Sequence, residues 1–324
     1  MSIVRADIPT LDGARCLVLG GGGFLGVHLA NALVRQGAAA RAFGRTLTNP
    51  DELDDRVCWS CGHFEDSAAV AEAVQGQEIV FHLLSGSVPG QPGQKPISDL
   101  EMNVSGTLRL LDICNAAAVR RVVFASSGGT VYGTADRCPI PEAAATDPIS
   151  AYGVGKLAIE KYLALYHHLY GLEYSALRIA NVYGPLQSPL KRQGVVAAML
   201  DRALAGEPLE IWGTGEVVRD FVHVDDVVSA LLLAATYDGP HRVMNVGSGA
   251  GLSINQVASD IEAIAGTSNV PRIYRAGRAA DVPVNILDIS LITRETPWQP
   301  RCSWQDGLRD TARWMAARAR TRLV

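Results

Sequence analysis

Arg15-Cys-Leu-Val-Leu-Gly20-Gly-Gly-Gly23-Phe24-Leu25-Gly26-Val-His28-Leu decides the fold. A short apolar run ends in glycines, and over residues 24–36 the apolar side chains Leu25, Leu29, Leu33 and Val34 recur at helical spacing. The stretch therefore reads as a strand, a tight turn and a helix. Glycine in such a turn lets backbone approach an anion, and the unpaired N–H groups of a helix start favour negative charge. A dinucleotide pyrophosphate at Gly20, Gly23 and Gly26 is the ligand this predicts.

Working outward, strand patterns over 38–43, 56–62, 78–84 and 121–125 alternate with helical patterns over 67–74, 100–117 and 152–168. Strands separated by helices predict an α/β chain with a Rossmann-type doubly wound parallel sheet. Such sheets bind ligands at the carboxyl ends of their strands. After Asn181 the periodicity loosens among Pro185, Pro189 and Pro208, while strands return over 242–246 and 285–289. We expect a dinucleotide-binding domain over 1–180, with returning segments near 220–250 and 284–292. A smaller, partly interleaved substrate-binding lobe then takes most of 181–324.

The chain has 324 residues, 48% of them hydrophobic, and a formal net charge of −4. With no basic run, no apolar run of 18 and no basic-then-apolar leader, it predicts a cytoplasmic protein without a nucleic-acid or membrane partner. A small polar ligand fits better. Of six cysteines, Cys58 and Cys61 alone have metal-like or redox-like spacing; without a second pair they read as small hydrophobes on a short strand, and no metal is expected. His82, His167, His168 and His223 share no ligand spacing and read as structural.

Tyr152-Gly-Val-Gly-Lys156 sets a phenol and an ammonium four residues apart on one helical face, where the ammonium favours phenolate. Upstream lies the hydroxyl-bearing turn Ser126-Ser127-Gly128-Gly129-Thr130-Val-Tyr132-Gly133. These segments and the Gly-x-x-Gly-x-x-Gly spacing resemble the extended short-chain dehydrogenase/reductase family, in particular its NAD(P)-dependent nucleotide-sugar epimerases and dehydratases of the UDP-glucose 4-epimerase type. The resemblance continues through Leu177-Arg-Ile-Ala-Asn181-Val-Tyr-Gly184-Pro, Val218-Arg219-Asp220-Phe-Val-His223-Val-Asp225-Asp226, Asn245-Val-Gly-Ser248, Gly277-Arg278-Ala-Ala-Asp281-Val and Trp298-x-Pro300.

The resemblance implies that Tyr152 is the acid/base for a sugar hydroxyl and that Lys156 holds the nicotinamide ribose and lowers the tyrosine pKa. It also implies that Gly20, Gly23, Phe24, Leu25, Gly26, Arg45, His63, Phe64, Leu83, Leu84, Ser85, Asn103 and Ala180 line the cofactor with that pair. Ser87, Ser127, Thr130, Asn181, Val195, Arg219, Arg278 and Asn285 would meet the nucleotide-diphosphate sugar, and two helices per subunit, at 100–117 and 151–168, would pair in a homodimer through residues such as Leu108, Leu111, Leu163 and Leu165. Gly128 stands where many relatives carry the catalytic Ser or Thr, leaving Thr130 first and Ser127 second as the replacement. Gly44 stands where an Asp would select NAD, so NAD or NADP is expected, tilted toward NADP through Arg45. Because Gly128-Gly129-Thr130 offers no carboxylate, 4-epimerisation is favoured over elimination. The alternatives are an NADPH-dependent 4-keto-6-deoxysugar reductase and a non-catalytic nucleotide-binding module.

Overall fold

The computed structural model describes residues 10–86, 96–189, 194–266, 270–277 and 281–321. Strand β1 (Arg15–Leu19), helix α1 (Phe24–Arg35) and strand β2 (Ala39–Gly44) form the opening unit read from the glycines. There follow β3 (Cys58–Cys61), α2 (Ser67–Val74), β4 (Ile79–His82), a short α3 (Pro96–Asp99), a π-turn over Leu100–Ser105, α4 (Gly106–Ala116), β5 (Arg121–Ser127) and α5 (Ala151–Tyr170). Strand β6 (Glu173–Ile179) completes this run. With β10 (Val243–Val246) these strands make a seven-stranded sheet of order β10-β6-β5-β4-β1-β2-β3, every pairing parallel. The order reverses direction between β1 and β4, which is where such sheets open a crevice for a ligand.

The central strands are apolar on both faces, as a sheet covered by helices on each side requires. Val18, Phe81 and Val123 pack on one face with Leu29, Leu33 and Leu231, the last from α7 (Val224–Ala234). Leu17, Val80 and Phe124 pack on the other with Val70, Leu110, Ile159 and Leu163. Helix α5 starts where the Ser150 side chain accepts from the Gly153 N–H and stops at left-handed Gly171, which fixes its register over the sheet.

The remaining elements build the second lobe. Strands β7 (Asn181–Tyr183), β9 (Val218–His223), β11 (Gly251–Ser253) and β13 (Val284–Asn285) form a four-stranded sheet, and β8 (Leu209–Trp212) pairs with β12 (Arg272–Arg275). Helices α6 (Val195–Leu204), α8 (Ile254–Ala265) and α10 (Trp304–Thr321) enclose a separate core containing Leu200, Ile211, Val257 and Leu308. Helix α9 (Ser290–Glu295) returns toward β10.

Three expectations need correction. The strand expected over 285–289 is only Val284–Asn285 and belongs to the small sheet beside β9, because its next backbone groups turn away to bond Ile140 on both sides. The helix expected over 100–117 begins earlier, at Pro96, and is interrupted by the π-turn. Cys58 and Cys61 are exposed on the edge strand β3 and do not act as buried hydrophobes; the apolar contact there is made by Trp59, turned toward Gly22 and Gly44.

Candidate active site

The turn between β1 and α1 has the close approach a phosphate cradle needs. A Cβ at Gly26 would collide with the carbonyl oxygen of Gly20, so the helix can start against the turn only with glycine there. Gly23 caps α1 without a side-chain hydrogen bond, and the first turn carries no acidic residue, leaving the helix start open to an anion. A cleft of about 370 Å³ lies in front of it, bordered by Phe24, Leu25, Gly44, Arg45, Thr46, Thr48, Leu83, Leu84 and Ser85. Its described lining contains no carboxylate.

The other expected cofactor positions gather at neighbouring strand ends. His63 is exposed just after β3, while Phe64 packs edge-near on His82 with ring centroids 5.5 Å apart. Asn103, in the π-turn, accepts a 2.7 Å hydrogen bond from the Gly86 N–H and so pins the chain leaving β4. Ala180 is buried after β6. His82 is buried against the Thr107 hydroxyl at 2.8 Å, and burial pushes its pKa down to about 3, as befits a structural imidazole.

At the end of β5 the hydroxyls take unequal roles. The Ser127 hydroxyl favours the ionised form of the half-buried Tyr152 phenol, whereas the Thr130 Oγ1 is buried without a hydrogen-bond partner. Gly128 leaves no vacant space: a Cβ there would lie 2.5 Å from Leu287 Cδ1 and 3.0 Å from the Arg178 carbonyl oxygen. Leu287 thus takes up the space into which a side chain at position 128 would extend. Asn285 donates from Nδ2 to the Gly128 carbonyl at 3.1 Å, and its buried Oδ1 has no partner.

Lys156 is buried, donates to the Ala125 carbonyl at 2.8 Å, and lies 4.6 Å from the Phe124 ring centroid and 5.6 Å from that of Tyr152. Burial lowers its pKa to about 8, against the opposing pull of Asp99 and Glu160. The Tyr152 phenol is pushed up to about 12 by burial, with the Ser127 hydroxyl acting downward and Asp99 upward. The sequence predicts a phenolate favoured by Lys156; in the chain by itself burial instead favours the protonated phenol.

Sequence reasoning overlooked a polar network beneath this turn. Ser126 donates to Glu160 at 2.5 Å, Arg178 pairs with Glu160 at 2.8 Å and donates to the Tyr132 hydroxyl at 3.0 Å, and Tyr132 donates to Asn245 at 2.7 Å. All five residues are buried, so the catalytic turn is bolted to α5 and β6 from below. The available signal was Glu160, four residues after Lys156 on the same helical face.

The expected substrate residues are less uniformly placed. Asn181 donates to the Asp220 carbonyl at 2.9 Å, and Val195 opens α6 partly buried. Arg219 is tied to the Val218 and Val282 carbonyls and lies 3.5 Å from Asp281, the ion pair that competes with a phosphate role. Ser87 and Arg278 lie outside the described residues. Leu111 and Leu163 face the core, Leu108 is partly buried, and Leu165 is exposed.

The sequence profile of the NAD dependent epimerase/dehydratase family matches residues 16–247. The chain belongs to this family. The UDP-glucose 4-epimerase of Mycolicibacterium smegmatis is 34% identical over 304 residues, covering 92% of this chain and 97% of that one. The crystal structure of the Thermotoga maritima UDP-glucose 4-epimerase with UDP-glucose superposes with a TM-score of 0.89 at 34% identity, covering 94% of this chain and 99% of that one. The Thermus thermophilus UDP-glucose 4-epimerase in complex with NAD gives 0.86 at 30% identity, covering 93% and 99%.

Proposed function

We propose that the protein is an NAD(P)-dependent nucleotide-sugar 4-epimerase, with UDP-glucose and UDP-galactose as the substrates to test first. The observation that carries this reading is the Tyr152 phenol on the same helix as the buried Lys156, whose Nζ lies 5.6 Å from the Tyr152 ring centroid, beside a turn whose residues Gly128, Gly129 and Thr130 supply no acid for elimination. Tyr152 takes the proton from the sugar O4 and later returns it. Ser127 holds the phenol and passes a hydrogen bond to the same oxygen, while the buried Thr130 Oγ1 and Asn285 Oδ1 gain partners from sugar hydroxyls. Arg219, Arg278, Asn181, Ser87 and Val195 hold the nucleotide diphosphate; Arg219 exchanges its link to Asp281 for phosphate oxygens, a fit for its planar fork.

The uncapped start of α1 and the carboxylate-free cleft fit a dinucleotide. When bound, the cofactor supplies reversible hydride exchange at C4, so that a planar 4-keto sugar can be reduced on either face. Lys156 binds its nicotinamide ribose and Phe24, Leu25, Leu83, Leu84 and Ser85 border it, with His63, Phe64, Asn103 and Ala180 completing the surround. Arg45, Thr46 and Thr48 at the far end accept NADP as well as NAD, since no acid lines that end to repel a 2′-phosphate. Gly44→Asp should shift the ratio of the two dissociation constants toward NAD, and an unchanged ratio argues against this cofactor reading.

Interconversion of UDP-glucose and UDP-galactose by the purified chain tests the function, with Tyr152→Phe expected to lose about 10² to 10⁴ in rate. Wild-type turnover in that variant would send the proton by another route. The working unit is a homodimer formed through the α3–α5 face.

A further inference from the structure

Asp99 closes α3 with its side chain buried, although nothing in the proposed proton transfer uses it. Its Oδ1 accepts from the Asn103 carboxamide at 2.9 Å, the same carboxamide whose oxygen receives the Gly86 N–H at the mouth of the cofactor cleft. Its Oδ2 lies against Gly155 of α5, where an added Cβ would come to 3.0 Å. Gly155 immediately precedes Lys156 and lies one turn from Tyr152. The carboxylate therefore reaches the helix backbone between the two groups of the acid/base pair because no side chain stands in its way. A π-turn follows Asp99 directly, and the widened turn carries Asn103.

We propose that Asp99 is a positioning residue, a buried carboxylate seated against Gly155 that places a negative charge beside the Tyr152–Lys156 pair and aligns Asn103 at the cofactor cleft. Among the described residues, few other charges surround Lys156. From α5 it feels Glu160, which is already paired with Arg178 of β6; from β4 it faces the imidazole of His82, kept neutral by burial; from β5 it meets only the Phe124 ring and the Ala125 carbonyl; and Tyr152 lies on its own helix. Asp99 is the first of the groups opposing the burial of Lys156, and it also raises the phenol. One negative charge thus keeps the ammonium protonated near neutral pH and restrains the phenol from ionising early. With an oxidised nicotinamide bound beside the pair, the same charge offsets part of the added positive field.

The inference rests on the acid/base reading of Tyr152 and Lys156, and its test needs no turnover. Lysines occur at 95, 156, 161 and 191, so lysine labelled with ¹³C at Cε gives four resonances, and Lys156→Arg assigns the one required. Asp99→Asn is isosteric and keeps an oxygen for Asn103. The Lys156 titration midpoint in that variant should fall by at least about half a pH unit, roughly threefold in proton affinity, with the Lys161 midpoint unmoved. Gly155→Ala, which presses a methyl onto Oδ2, should move it the same way, and serves as the reading if Asp99→Asn does not fold. A folded Asp99→Asn chain whose Lys156 midpoint stays within about 0.2 pH unit of wild type overturns the proposal, since a merely structural carboxylate would change melting and leave the titration alone. Loss of epimerase activity with an unshifted lysine likewise counts against it, while a shifted lysine in a chain that epimerises nothing would support Asp99 and refute the proposed function.

Discussion

Thr130 and Ser127 carry hydroxyls that differ in what they already bond. The Thr130 oxygen is buried without a partner, so Thr130→Val removes an unsatisfied polar group at nearly constant shape and should stabilise the free chain by about 1 kcal/mol. Turnover should nevertheless fall at least about tenfold if that oxygen meets the sugar, an effect worth roughly 1.4 kcal/mol in the transition state. Ser127→Ala removes the hydroxyl that favours ionisation of the phenol and should cost more in kcat than Thr130→Val does. Equal activity of all three chains would leave neither hydroxyl a role. Lys156 shows a related conflict between stability and use. Its pKa falls from 10.5 to about 8 on folding, so the unfolded chain binds more protons between those values and stability rises with pH across that window. Below pH 8 the buried ammonium costs about 3 kcal/mol, the free-energy equivalent of that difference. Lys156→Met should therefore raise stability at pH 7 by about 1–3 kcal/mol, lose the gain by pH 10.5 and abolish activity. Urea unfolding at both pH values checks this, and a Met variant weaker than wild type at pH 7 contradicts it.

At the scale of elements, the first strand-turn-helix unit and α5 were legible because their signals are local: glycines at a turn, apolar residues at helical spacing, and Ser150 ahead of the Tyr152 helix. The filling of the Gly128 position was not legible, since Leu287 and Asn285 arrive from a segment 157 or more residues away. Gly128→Ser should accordingly fail to restore a family-like hydroxyl and should destabilise the chain by about 1–3 kcal/mol through overpacking; a variant as stable as wild type and more active would contradict that. Helix α5 also presents an outer stripe. Val154, Leu165 and Leu169 are exposed at spacings of eleven and four, beside exposed Ile97 and Leu100 of the α3 region. Leu111 and Leu163, also expected at an interface, are committed to the core instead. Leu165→Glu should shift a dimer toward monomer in sedimentation at micromolar concentration without unfolding it, and a wild-type monomer under those conditions would contradict the pairing.

Across the whole molecule, the seven-stranded sheet follows from strand and helix patterns that alternate locally along the first half of the chain, whereas the second lobe rests on strands of two to six residues whose period is too short to read. The polar network from Ser126 to Asn245 links β5, α5, β6 and β10 of the large sheet beneath the catalytic turn through residues far apart in the sequence, which is why its members carry no local signature. Among the described residues no helix is long and apolar enough to cross a membrane. In the proposed reaction, hydrogen leaves C4 of a nucleotide sugar and returns to the opposite face of the same carbon. The direct measurement is epimerisation of UDP-glucose deuterated at C4 by the purified chain in ordinary water. The expected product is UDP-galactose that retains deuterium at C4, with no net reduction or oxidation of NAD(P). Deuterium lost to solvent, or a sugar product reduced at C4 with matching cofactor consumption, would contradict it.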